Sequence, residues 1–112
     1  MDRRLQLQEI LQQIMRESVP PGTPLSPSDN VYFQPDKNIN LMYPCIVYHR
    51  DNERQHRANN NQYTVTRRYL ITVIDRNPDS TIPGRISSLP MTAYSTHFTT
   101  DGLNHDNYVT YF

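Results

Sequence analysis

Apolar residues recur along this chain with two different spacings, and the change from one to the other marks out its elements. Near the N-terminus Leu7, Ile10, Leu11 and Ile14 follow the i, i+3, i+4, i+7 pattern of one helix face, with Met15 widening the stripe. Gln6, Gln8, Gln12 and Gln13 fill the opposite side. The pattern predicts a helix over residues 2–18, with Asp2 as N-cap at the positive end of the dipole. Val19-Pro20-Pro21-Gly22 ends it, because proline cannot continue the ladder. Further on the period drops to two. The stretch from Tyr63 to Ser80 carries the longest run of β-branched and aromatic residues in the sequence, side chains that fit a pleated sheet. Alternation sends Val65, Arg67, Tyr69, Ile71 and Val73 to one face, and Thr64, Thr66, Arg68, Leu70, Thr72 and Ile74 to the other. From Tyr69 to Ile74 both faces are largely apolar, which predicts a central strand covered on both sides. The polar run Asp75 to Ser80 stops it.

The remaining strands are shorter. Val31 to Phe33 is confined to a sheet edge or an early stop by Pro35. Tyr43 to Arg50 alternates Cys45 and Val47 against Ile46 and Tyr48. Two more strands are expected at Thr92–Thr99 and Asn107–Phe112, with a turn between them signalled by Asp101-Gly102. Residues 20–30 read as a Pro, Gly, Thr and Ser linker, and Asp36 to Leu41 as a polar loop around Lys37, the one lysine. Residues 51–62 form an extended hairpin loop, into which the flanking strands continue a little way as a protruding arm. A second helix is expected after Asp79 or Ser80 as N-cap, with Pro83 in its first turn and Ile82, Ile86 and Leu89 on one face. Pro90 terminates it. The order is helix, three strands, helix, two strands. That is a single α+β domain, with a mainly antiparallel sheet of about five strands and the helices packed on it. Its expected core is Tyr69, Ile71, Val73, Ile46, Val47, Leu11 and Ile14.

Composition changes the picture in two respects. A hydrophobic fraction of 36% in 112 residues is low for a globular domain, yet zero net charge and eight tyrosines are not the signature of a disordered chain. The expectation is a small core with long polar loops that become ordered in an assembly. Balanced charge also speaks against a dedicated nucleic-acid binder. The lone Cys45 cannot form an internal disulfide and reads as a buried structural thiol. No secretory signal and no membrane-spanning run are visible, so a reducing cytoplasm is the expected place of synthesis.

Candidate chemistry is sparse. Asp101, His105 and Asp106, with His97 nearby, offer two imidazoles and two carboxylates for a metal or for acid–base work. Their spacing matches no metal signature, and turn and capping hydrogen bonds are the expected use. His56 between Arg54 and Arg57 suggests either a phosphate site or an ordinary solvated loop. Three glycines cannot build a phosphate-cradling loop. No catalytic, metal or cofactor-binding residue is assigned, and the residues read as a non-catalytic assembly subunit.

Five segments sharpen that reading: Val31-Tyr32-Phe33-Gln34-Pro35, Tyr43-Pro44-Cys45-Ile46-Val47-Tyr48, Tyr63-Thr64-Val65-Thr66-Arg67-Arg68-Tyr69, Val73-Ile74-Asp75-Arg76-Asn77-Pro78-Asp79-Ser80, and Phe98 to Asp106. In this order they resemble the tail terminator (tail completion) proteins of long-tailed bacteriophages. The resemblance implies an α+β fold and a hexameric ring on the head-proximal end of the tail tube, in the virion but assembled in the host cytoplasm. Such a ring stops tube polymerisation and docks the head–tail connector, and DNA passes through it without sequence-specific binding. Its partners would be further copies of itself, the tail tube protein and the connector. Tyr48, Arg54, Arg57, Arg67, Arg68 and Tyr94 are the expected interface residues, with Arg67 and Arg68 free to pair with carboxylates of a neighbour. A head–tail neck or closure protein is the alternative. A small metal-dependent hydrolase using His105 and Asp101 ranks below both.

Overall fold

The strand Tyr63–Asp75 (β3) is the middle of a five-stranded sheet ordered β1-β2-β3-β5-β4. The computed structural model describes residues 3–20, 22–25, 29–57 and 63–112, the side chains of 54–57 and 63–65 excepted. Helix α1 spans Arg3–Ser18, β1 Val31–Phe33, β2 Cys45–Arg57, helix α2 Ile82–Ser87, β4 Thr92–Thr100 and β5 Leu103–Tyr111. The expected N-cap Asp2 lies outside the described residues. Only β1 runs parallel to its neighbour, pairing Val31 with Ile46; all other pairs are antiparallel.

Both helices pack on one face of the sheet. From α1 come Leu7, Leu11, Ile14 and Met15, and from α2 Ile82 and Ile86. They meet Val31, Ile46, Tyr48, Tyr69, Ile71, Val73 and Tyr108. The register explains this set, because Ile46 lies opposite Val73, and Tyr48 and Tyr108 lie on either side of Ile71. All therefore point to the same side. An ion pair between Arg85 and Glu17 (3.0 Å) links the two helices at the rim. Asn30, fully buried, adopts a left-handed backbone (φ 58°) that Asn tolerates better than most residues. Its side chain donates to the Pro44 carbonyl (3.2 Å), and its own carbonyl accepts from the Ile46 amide (2.9 Å), which fixes where β2 begins.

The structure corrects several expectations. Among the described residues no helix covers the second face of β3: Leu70 and Thr72 are half-exposed, and so is Val47, which belongs to that face and not to the core, whereas Ile74 and its partner Cys45 on that face are buried. As expected of a protruding arm, β2 continues past Arg50, and it runs as far as Arg57, in register with Tyr63. The arm is thus strand over residues 51–57, and residues 58–62 lie outside the description. β5 starts four residues earlier than Asn107, so the turn after β4 is only Asp101-Gly102. Both turn residues have positive φ (52° and 75°), the type I′ geometry that matches the twist of a two-residue hairpin. The α2 N-cap position is Thr81, without a side-chain cap bond, while Ser80 Oγ accepts from the Ile82 amide at 3.3 Å.

Candidate interaction surface

β1 pairs with β2 only as far as Tyr48, and β5 pairs with β3 only from Arg68 onward. Residues 52–57 and 63–67 therefore form a two-stranded ribbon with no third strand beside it among the described residues. The two strands of 13 residues reach about 43 Å at the usual strand rise, within a molecule 53 Å in its longest dimension. A bulge between Arg50 and Asn52 marks the point where the ribbon leaves the sheet. Asp51 is the extra residue there, and its carboxylate takes two hydrogen bonds from Arg68 (2.9 and 2.7 Å). That bidentate grip holds the Asp51 carboxyl below its ordinary pKa. On the neighbouring row Arg67 meets Glu53 at 3.2 Å. Arg67 and Arg68 thus find carboxylates within their own chain.

The opposite side of the sheet ends in β4, whose outer edge pairs with nothing among the described residues. Every residue from Ala93 to Thr100 is exposed. Tyr94 (57% exposed) rests edge-on against Tyr108 at 5.6 Å on the helix-covered face. Phe98 (49%) stacks on His105 at 4.4 Å on the other. That second face is a mixed surface. Val47, Thr72, Asn107 and Thr96 lie in one row across four strands, and Asn107 ties it together through Thr72 (2.7 Å) and Thr96 (3.0 Å).

Charge is unevenly placed although the total is zero. Residues 50–68 hold five arginines against two carboxylates. At the other end of the strands, the segments 75–79 and 101–106 hold Asp75, Asp79, Asp101 and Asp106 against Arg76 alone. The strand direction puts these two groups at opposite ends of the sheet, since Asp75 pairs with Asn104 while Arg68 pairs with Tyr111.

Among the expected interface residues Tyr94 is well exposed, and Arg67 and Arg68 are half-exposed on the ribbon. The side chains of Arg54 and Arg57 lie outside the description. Tyr48 is a correction: it is fully buried, its hydroxyl donates to Gln8 Oε1, and Arg4 donates to it at 3.4 Å. It belongs to the core because the even-numbered side of β2 faces α1. The four possible catalytic groups are also dispersed. His97 pairs with Asp106 (2.7 Å) across β4 and β5, but His105 points to the other face and Asp101 sits exposed in the turn. No group of three or more potential metal ligands occurs among the described residues. Cys45 is buried as expected, and burial pushes its thiol pKa up to about 12. No helix among the described residues is long and apolar enough to cross a membrane.

What the residue pattern missed is the β4 edge itself. Its signal was available: nine residues, Thr92 to Thr100, without one proline, lysine, arginine or carboxylate, the devices that usually blunt an exposed edge. No known family model matches the chain, and no curated protein is similar to it.

Proposed function

We propose that this chain is a structural subunit of a long-tailed phage, forming a ring that caps the head-proximal end of the tail tube. The observation that carries the assembly class is the ribbon. A small domain that projects a two-stranded arm beyond its own core, and leaves the opposite sheet edge bare, holds in reserve the backbone hydrogen bonds that a second chain can complete. The ordered resemblance of five segments to tail terminators supplies the particular assembly. In this reading the chain does no chemistry: it binds copies of itself laterally, the tube protein below and the connector above.

Deleting its gene from the phage tests the function. The expected product is tubes of irregular, excessive length with no heads attached. Tails of normal length that still join capsids would overturn the proposal. Tails of normal length without heads would overturn the terminator position and move the subunit to the neck.

A further inference from the structure

We infer that the outer edge of β4, over Thr96–Thr100, is the seat for the β2–β3 ribbon of a second copy of this chain. The inference gives the lateral contact of the proposed ring its address, and rests on that reading only for the contact's purpose.

The hairpin turn fixes which backbone groups are free. A two-residue turn closes on Thr100 and Leu103 as a hydrogen-bonded pair, and pairs alternate from there. Phe98 is again bonded to β5, whereas the amides and carbonyls of His97 and Thr99 point away from it. The bulge between Tyr94 and Thr96 interrupts the edge nearer its start, so Thr96–Thr100 is the regular stretch that can accept a strand. Exposed aromatic rings flank it on both faces, Tyr94 on one and Phe98 on the other. Both can close over an added strand.

The occupant follows from what the same molecule offers elsewhere. On β3 the outer edge is already partly used, because the Phe112 amide donates to the Arg67 carbonyl at 2.9 Å. On β2 the last contact with the β1 side is the Arg50 amide to Gln34 Oε1 at 3.3 Å. Beyond it, Asn52–Arg57 has no neighbour on its outer side among the described residues. Charge selects this pairing. The ribbon is rich in arginine, and the end of the sheet beside Thr96–Thr100 is rich in aspartate, with Asp101 and Asp106 next to it. Ribbon-on-edge therefore brings opposite charges together at a contact that repeats head to tail.

The test uses the full chain in solution. Mass is measured by sedimentation for the natural protein, for Arg54→Glu/Arg57→Glu, which reverses the ribbon charge, and for Thr99→Pro, which removes an outward amide. The natural protein should form species heavier than one chain, and these should dissociate as salt is raised. Each variant alone should lose them and run as a single chain. An equimolar mixture of the two variants should recover a one-to-one pair, because one still has its edge and the other its ribbon. That recovery also shows that both variants are folded. A natural protein that stays monomeric at every concentration overturns the inference, as does a mixture with no pair. Ribbon variants that associate like the natural chain would mean that β4 pairs with another β4, and overturn it too. Solution mass tests the contact and tail length in the phage tests the function, so either can fail without the other.

Discussion

Tyr48 and Tyr94 both lie on the helix-covered face of the sheet, and strand position separates them, β2 running under α1 and β4 forming the outer edge. Tyr48 sits opposite Ile71 under α1, where its hydroxyl must be satisfied because water cannot reach it. Its bond to Gln8 explains why a helix with four glutamines at positions 6, 8, 12 and 13 has one of them turned toward the sheet. Tyr48→Phe leaves Gln8 Oε1 without that donor and should cost about 1–3 kcal/mol in urea unfolding. Ile71→Ala should cost about 2–5 kcal/mol, whereas Val47→Ala on the helix-free face should cost well below that range. Cys45 gives a pH prediction. Its folded thiol is raised from 9.0 to about 12, so the native state holds the proton that the unfolded chain gives up. The sign is therefore loss: below the ordinary thiol pKa the group has no effect, and stability falls as pH rises from there toward the folded value. Cys45→Ala should lose less stability than the natural chain over that window, and native Cys45 should resist thiol reagents that label it at once in denaturant.

At the scale of elements, apolar periodicity located the helices and strands of the described residues, but it placed the start of β5 four residues late and did not say how far β2 runs into the arm. The misses share a cause. Residues 51–57 and 103–106 are almost entirely polar, and a ladder is closed by backbone groups that composition does not report. Asp101-Gly102 was legible as a turn, but only the φ values show that it is a two-residue turn, which draws His105 and Asp106 into β5 and separates them from Asp101. The interface set was legible only in part, since Tyr48 and Tyr94 share the helix-covered face and only the strand order, which puts β4 at the sheet edge, exposes one and buries the other. The ribbon carries its own prediction. Two strands without a third are marginal by themselves. Amides from Asn52 to Arg57 should exchange much faster than those from Tyr69 to Ile74 in the isolated chain, and slow down when it assembles. Arg68→Ala should raise the Asp51 titration midpoint, measured by carboxyl NMR, because the two hydrogen bonds that stabilise the carboxylate are gone.

For the whole molecule, a net charge of zero conceals an end-to-end polarity that the total cannot reveal. The balance of charge thus describes only the average, and the ribbon end taken alone is basic. Polarity along the strands suits a subunit that must tell one end of a stack from the other, since like ends repel and unlike ends attract across an interface. If the chain caps a tube, it must recognise the growing end and refuse to continue it. Added to polymerising tail tube protein, the isolated chain should shorten the tubes in proportion to its amount and should be found at one end only, by electron microscopy of labelled protein. High salt should weaken that effect, because exposed charges beyond about 10 Å are screened at moderate ionic strength. Arg54→Glu/Arg57→Glu should abolish it if capping requires the closed ring. Tube lengths that do not respond to the natural chain, or label scattered along the tubes, would rule out capping as its activity.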